Sequence, residues 1–137
     1  MNVFFDSSAL VKRYLEEPGS EKVERICLKT AQIIVSIICL PEIISALNRR
    51  RREERVSLQE YTFIKERMLL EFEDYLSCPL TPQVIASTVM ILEKFSLRAM
   101  DAIHLASALE VSPRFFVSAD VRQLEAAKTL KLKTQKV

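Results

Sequence analysis

Glycine is all but missing: Gly19 is the only one in 137 residues. That scarcity excludes every motif built on paired glycines, namely the dinucleotide fingerprint, the Walker phosphate loop and the nucleophile elbow. Histidine occurs once, at His104, and cysteine three times, at Cys27, Cys39 and Cys78. An odd number of cysteines without close pairs argues against a disulfide framework and against a zinc ribbon or finger. Free thiols suit a reducing cytosol. No basic segment followed by a long apolar run opens the chain, so no signal peptide is expected. The longest apolar stretch, residues 33–44, is broken by Ser36, Pro41 and Glu42 and is too short to span a bilayer. The expectation is a soluble, cytoplasmic protein with no membrane partner. An excess of one charge is lacking too: 20 Lys and Arg stand against 18 Asp and Glu, a net of +2. Such a balance neither announces a polyanion partner nor excludes one bound locally.

What the sequence does have is a core, with 49% of residues apolar, enough for one domain over residues 1–137. Short apolar runs alternate with amphipathic segments. Residues 2–5, 32–36, 76–80, 115–118 and 130–134 read as strands. Helices are predicted over 8–15, from Ser20, from Pro41-Glu42, over 57–75, from about 82 to 95, over 100–110 and from Asp120. Proline suits the first turn of the third helix, and Ser57 to Glu60 matches a capping box. In the helix up to residue 95, Ile85, Val89 and Leu92 lie on one face. Short apolar strands between helices imply a parallel sheet covered on both faces, an α/β fold of three layers. Sites in such sheets form beyond the carboxyl ends of the strands.

Four acidic residues fall at that edge: Asp6 after the first strand, Glu42 and Asp101 opening helices, and Asp120 just past the strand FFVS. Singly, each is an ordinary helix cap or first-turn residue. Together they would repel one another unless a cation neutralises them or some stay protonated. Hard oxygen ligands suit Mg²⁺ or Mn²⁺ rather than zinc, and such a site can activate water for displacement at phosphorus.

The blocks that carry these residues, VFFDSSALVKRYLEEPGS, PEIISALNR, LRAMDAIHLASAL and FVSADVRQLEAA, resemble the four motif blocks of PIN domains, most closely the VapC-type toxins of toxin–antitoxin pairs. The resemblance covers almost the whole chain, and DSSALVKRY and DAIHLASAL are its most specific parts. It implies a metal-dependent endoribonuclease that uses Mg²⁺ or Mn²⁺, and a VapB-like antitoxin as partner. It further implies a PIN-like sheet of about five parallel strands in the order 3-2-1-4-5. By position, Asp6 and Asp101 would be the central metal ligands, with Glu42 and Asp120 completing the acidic site. Ser118 would orient the cluster, and Ser7 is the small hydroxyl residue after the first aspartate. One departure is visible. Members often have a glycine after the last helix, where this chain reads AAKTLKLKT, so the boundary of the final strand is the least determined.

Other residues carry weaker signals. His104 shares a helix face with Asp101, but its alanine and leucine neighbours favour a buried supporting role. Lys12, Arg13 and Arg49 are candidates to contact RNA phosphates, against the reading of solvated surface charge. The helix over 57–75 has more apolar surface than a small sheet can cover, which points to a second copy of the chain, a homodimer, or an antitoxin peptide. An aspartate-nucleophile phosphatase would need a second aspartate two residues after Asp6, where Ser8 stands. The competing function from another class is a non-catalytic RNA- or protein-binding PIN-like module.

Overall fold

A computed structural model describes residues 1–137. Five strands, β1 (Asn2–Phe5), β2 (Gln32–Ser36), β3 (Leu76–Cys78), β4 (Phe115–Ser118) and β5 (Thr134–Lys136), form one all-parallel sheet in the order β3-β2-β1-β4-β5. This is the expected topology, with β1 in the centre. Seven helices connect and cover it: α1 (Ser7–Leu10), α2 (Ser20–Leu28), α3 (Cys39–Arg52), α4 (Leu58–Phe72), α5 (Pro82–Lys94), α6 (Ala99–Val111) and α7 (Val121–Thr129).

The period-2 alternation of β1 sets the layers. Val3 and Phe5 enter a core shared with α1 to α4, while Phe4 enters a second core on the opposite face, shared with α5, α6 and α7. Phe4 stacks on Phe116 of the neighbouring strand, with ring centroids 5.7 Å apart. No helix is long and apolar enough to cross a membrane.

Several boundaries differ from the sequence expectation for identifiable reasons. The first helix is shorter than residues 8–15: after Leu10 the chain tightens into a 3₁₀ turn over Val11–Arg13. Helix α3 starts two residues before Pro41, which still lies in the first turn where a missing N–H is harmless. Helix α5 turns a different stripe inward. Val84, Thr88 and Ile91 are buried, whereas Ile85, Val89 and Leu92 are 45%, 51% and 37% exposed. The two stripes have the same helical period, and Thr88 can face inward because its hydroxyl donates to the Val84 carbonyl at 2.7 Å. The last strand falls at 134–136 rather than 130–134. Lys131 takes the left-handed conformation (φ 67°) where a glycine would be usual, and the Leu132 N–H reaches back to the Ala127 carbonyl. Residues 131–133 are therefore spent closing α7.

Candidate active site

The acidic residues are placed by the termini of the elements that carry them. Asp6 ends β1 and caps α1, accepting from the Ala9 N–H at 2.9 Å. Asp120 ends the β4 connection and caps α7 through the Arg122 and Gln123 N–H groups. Glu42 and Asp101 lie in the first turns of α3 and α6. The parallel sheet brings β1, β2 and β4 side by side, so all four reach the same edge.

A ring of hydrogen bonds joins them. Ser118 donates to Asp6 Oδ2 at 2.6 Å and accepts from the Asp120 N–H at 3.0 Å. Gln123, fully buried beneath the Asp120 cap, donates from Nε2 to the Asp101 carbonyl at 2.9 Å. One turn further along α6, His104 Nε2 lies 2.5 Å from Glu42 Oε1, and Ser7 donates to that same oxygen at 2.7 Å. Ser7 adjoins Asp6, closing the ring. Ser8 donates to both Asp6 oxygens and accepts from the Ala119 N–H.

The two innermost carboxyls sit in opposite environments. Asp6 is only 2% exposed, and burial pushes its carboxyl up, against the charge of His104 and the hydrogen bonds from Ser118, Ser8 and Ala9. Burial acts on Glu42 in the same sense, yet the His104 and Ser7 hydrogen bonds outweigh it and hold that carboxyl below its usual range.

Two clefts open at this edge. One, of about 380 Å³, is lined by Ser7, Glu42, Arg49, Arg98, Met100 and Asp101 among others. The other, of about 450 Å³, includes Arg98, Asp101, Asp120 and Arg122. Asp101 thus faces both, with Arg98 Nε 3.3 Å from its Oδ2. Each of Glu42, Asp101 and Asp120 has one carboxylate oxygen in these bonds and a second without a protein partner. No three His, Cys, Asp or Glu side chains stand close enough to cage a metal ion. The donor set is nonetheless all hard oxygen, and Mg²⁺ is usually held through one or two carboxylates while it keeps several waters.

The basic candidates separate. Arg49 lies in the first cleft, two turns along α3 from Glu42. Lys12 instead donates to the Pro18 carbonyl. Arg13 donates to the Tyr75 hydroxyl at 2.7 Å and pairs with Glu24 and Glu71. Sequence reasoning missed Ser8, Gln123 and Arg98. Ser8 was visible beside Ser7, and Gln123 at the third position after the Asp120 cap. Nothing local marked Arg98.

The PIN domain model matches residues 3–129. Solved structures of similar fold include DNA-bound VapBC from Salmonella typhimurium, with a TM-score of 0.73 at 15% identity over 99% of this chain and 98% of that one. VapC20 from Mycobacterium tuberculosis, a Sarcin-Ricin loop cleaving toxin, has a TM-score of 0.71 at 15% identity over 90% and 94%. FitAcB from Neisseria gonorrhoeae has 0.71 at 15% over 96% and 95%. At such identities the likeness is one of fold. No curated protein matches the sequence. Four acidic blocks in the expected order, the sheet topology and a family match over nearly the whole chain agree: this chain belongs to the PIN domain family.

Proposed function

We propose that the chain is a divalent-metal-dependent endoribonuclease and the toxin of a toxin–antitoxin pair. The observation that carries this reading is the hydrogen-bonded ring that brings Asp6, Glu42, Asp101 and Asp120 to one edge of the sheet. Asp6 and Asp101 would be the central ligands of Mg²⁺ or Mn²⁺, with Glu42 and Asp120 completing the site partly through bound waters. Once bound, such an ion lowers the pKa of water and stabilises charge developing on a phosphoryl group. Ser118 and Ser8 keep the Asp6 carboxylate in one orientation, and His104 and Ser7 do the same for Glu42. Arg49 and Arg98, on the walls of the cleft, bind the flanking phosphates. In-line attack by water breaks the P–O3′ bond and leaves a 3′-hydroxyl and a 5′-phosphate.

The comparisons support the biological setting: VapBC and FitAcB adopt this fold. A VapB-like antitoxin is the proposed partner. The exposed Phe63 and Leu70 of α4, on the helix expected to meet a second copy, are the proposed contact of a homodimer. A Phe63→Glu protein is expected to run at half the mass of the wild type in light scattering; unchanged mass would remove that contact.

The second reading is a non-catalytic RNA- or protein-binding module. Cleavage of a mixed RNA pool separates the two. Purified protein is expected to cut with Mn²⁺ or Mg²⁺, to stop with EDTA, and to be inactive as Asp101→Asn. Tight RNA binding without cutting by folded, antitoxin-free protein would establish the module instead.

A further inference from the structure

The link between α5 and α6 is short and extended, with Phe95 at φ −124°, ψ 148° and Arg98 at φ −75°, ψ 155°. Across from it lies α7. Between them is an open depression of about 500 Å³ lined by Phe95, Ser96, Leu97, Arg122, Glu125 and Thr129 with Ala126 at its base. It shares Ser96, Leu97 and Arg122 with the cleft around Asp101 and Asp120. That cleft in turn shares Arg98 and Asp101 with the one holding Glu42 and Arg49. The three are one trough, with Arg49 at one end, Arg98 and Arg122 at its two junctions, and carboxylates between.

The chemistry of the α7 end differs from the rest. Arg122 and Glu125 are opposite charges three residues apart on one helix, a spacing that usually pairs, yet they form no ion pair, and neither side chain has a hydrogen-bond partner. Ser96 is also unpaired through its hydroxyl. These groups stand beside the half-buried Leu97 and Phe95, the latter with the Lys94 ammonium over one face of its ring at 5.5 Å. An apolar wall with an unpaired cation and an unpaired acceptor at its rim suits a nucleobase and its phosphate: the π-face lies on the wall and the polar edge meets the acceptor.

We propose that the trough seats single-stranded RNA, and that the depression beside α7 is a base-reading subsite for a nucleotide flanking the bond cut at Asp101. This deepens, and rests on, the ribonuclease reading above. Arg122, which borders both the depression and the acidic cleft, holds the phosphate between them. Glu125 accepts from the base edge; the one ring N–H of uracil is flanked by two carbonyl oxygens that repel a carboxylate, so a base bearing an exocyclic amine, cytosine, adenine or guanine, is preferred.

Two measurements on the full chain test this. In the first, isotope-labelled protein in EDTA, where nothing is cut, is titrated with RNA trinucleotides that differ only in the central base. Amide shifts are expected at Ser96, Leu97, Arg122 and Glu125, with uracil binding about tenfold more weakly than the amine-bearing bases, and with that difference lost in Glu125→Ala. Absence of shifts there, or equal binding of all four bases, overturns the subsite. In the second, the ends left in a cleaved RNA pool are sequenced. Amine-bearing bases are expected at one fixed flanking position, and Glu125→Ala is expected to flatten that preference. Metal-dependent cutting, abolished in Asp101→Asn but with end sequences unchanged in Glu125→Ala, overturns the subsite and leaves the ribonuclease standing. Glu125-dependent base preference in the titration without any cutting upholds the subsite and removes the ribonuclease. Thermal denaturation of Glu125→Ala confirms the fold, since this exposed side chain makes no bond to lose.

Discussion

Glu42 Oε1 and His104 Nε2 lie 2.5 Å apart across 62 residues of sequence. The pair ties the first turn of α3 to the second turn of α6, and it fixes one oxygen of the carboxylate while leaving the other without a protein partner. His104 is 1% exposed, and its Nδ1 has no partner at all. Glu42 is held below its usual range and its carboxylate can only accept, so Nε2 carries the hydrogen of this bond and donates it.

Replacing His104 by Ala removes that donor and opens a cavity. A hydrogen bond to a charged group contributes about 1.5–3 kcal/mol, so thermal denaturation should show a loss of at least that size. Residues that orient metal ligands typically change metal affinity by about 10- to 100-fold, and calorimetric Mn²⁺ titration should show a drop in that range. An unaltered Tm together with unaltered Mn²⁺ affinity would deny His104 its role.

Asp6→Asn is expected to abolish cutting yet raise stability at neutral pH. Burial raises the Asp6 carboxyl in the folded state above its unfolded value. The folded protein therefore holds the proton more tightly, and stability falls as pH rises from the unfolded pKa through the folded one. Asparagine keeps the acceptor for Ala9 and a partner for Ser118 without the buried charge. In EDTA its Tm should exceed that of the wild type at pH 7, and the two should converge below about pH 4. A lower Tm for Asp6→Asn at pH 7 would contradict this.

Glu71 titrates in the opposite sense. Burial opposes its ionisation, but hydrogen bonds from Arg67 and Tyr14 and the charge of Arg13 prevail and hold the carboxyl below its usual range. Its contribution is present above the unfolded pKa and is lost as pH falls through the folded one. Glu71→Gln should lower stability by about 1–2 kcal/mol at pH 7, with the difference shrinking on acidification below about pH 4. Urea unfolding at several pH values measures it; a difference independent of pH would assign the loss to packing alone.

Gly19 caps α2 with φ at 99°. A Cβ there would lie 2.9 Å from the backbone of Val137 and 3.4 Å from the Lys12 side chain. Gly19→Ala combines left-handed strain, about 1–2 kcal/mol, with that collision. A lower Tm and faster amide exchange in β5 are expected, and β5 exchanging as in the wild type would show that the collision is absorbed elsewhere.

The legible features were those that local chemistry dictates. Asp6 and Asp120 cap helices just after strands, so their places followed from the sequence pattern. The β-branched and aromatic runs located β1, β2 and β4. What escaped depended on tertiary choices. Helix α5 offers two apolar stripes of equal period, and only packing against α6 selects Val84, Thr88 and Ile91. The left-handed Lys131 has no signature in a lysine. Arg13 reads as a free cation until Tyr75 and Glu71 arrive from 60 residues away. Gln123 acts by holding a backbone carbonyl, a role no residue type announces.

The partnership of Asp6 with Ser118 spans 112 residues, and it has a consequence for the growing chain. As the polypeptide leaves the ribosome, β1 can join β2 early, but its other side stays open until residues 115–118 arrive. Until then Asp6 lacks Ser118, and Ser8 lacks the N–H of Ala119. The Asp120 and Gln123 that complete the ring lie later still. Parallel pairing over such a distance is slow, because a long loop must close before any contact rewards it. The acidic edge is thus completed only after residues 118–123 have been made, and no shorter chain holds all of its hydrogen bonds.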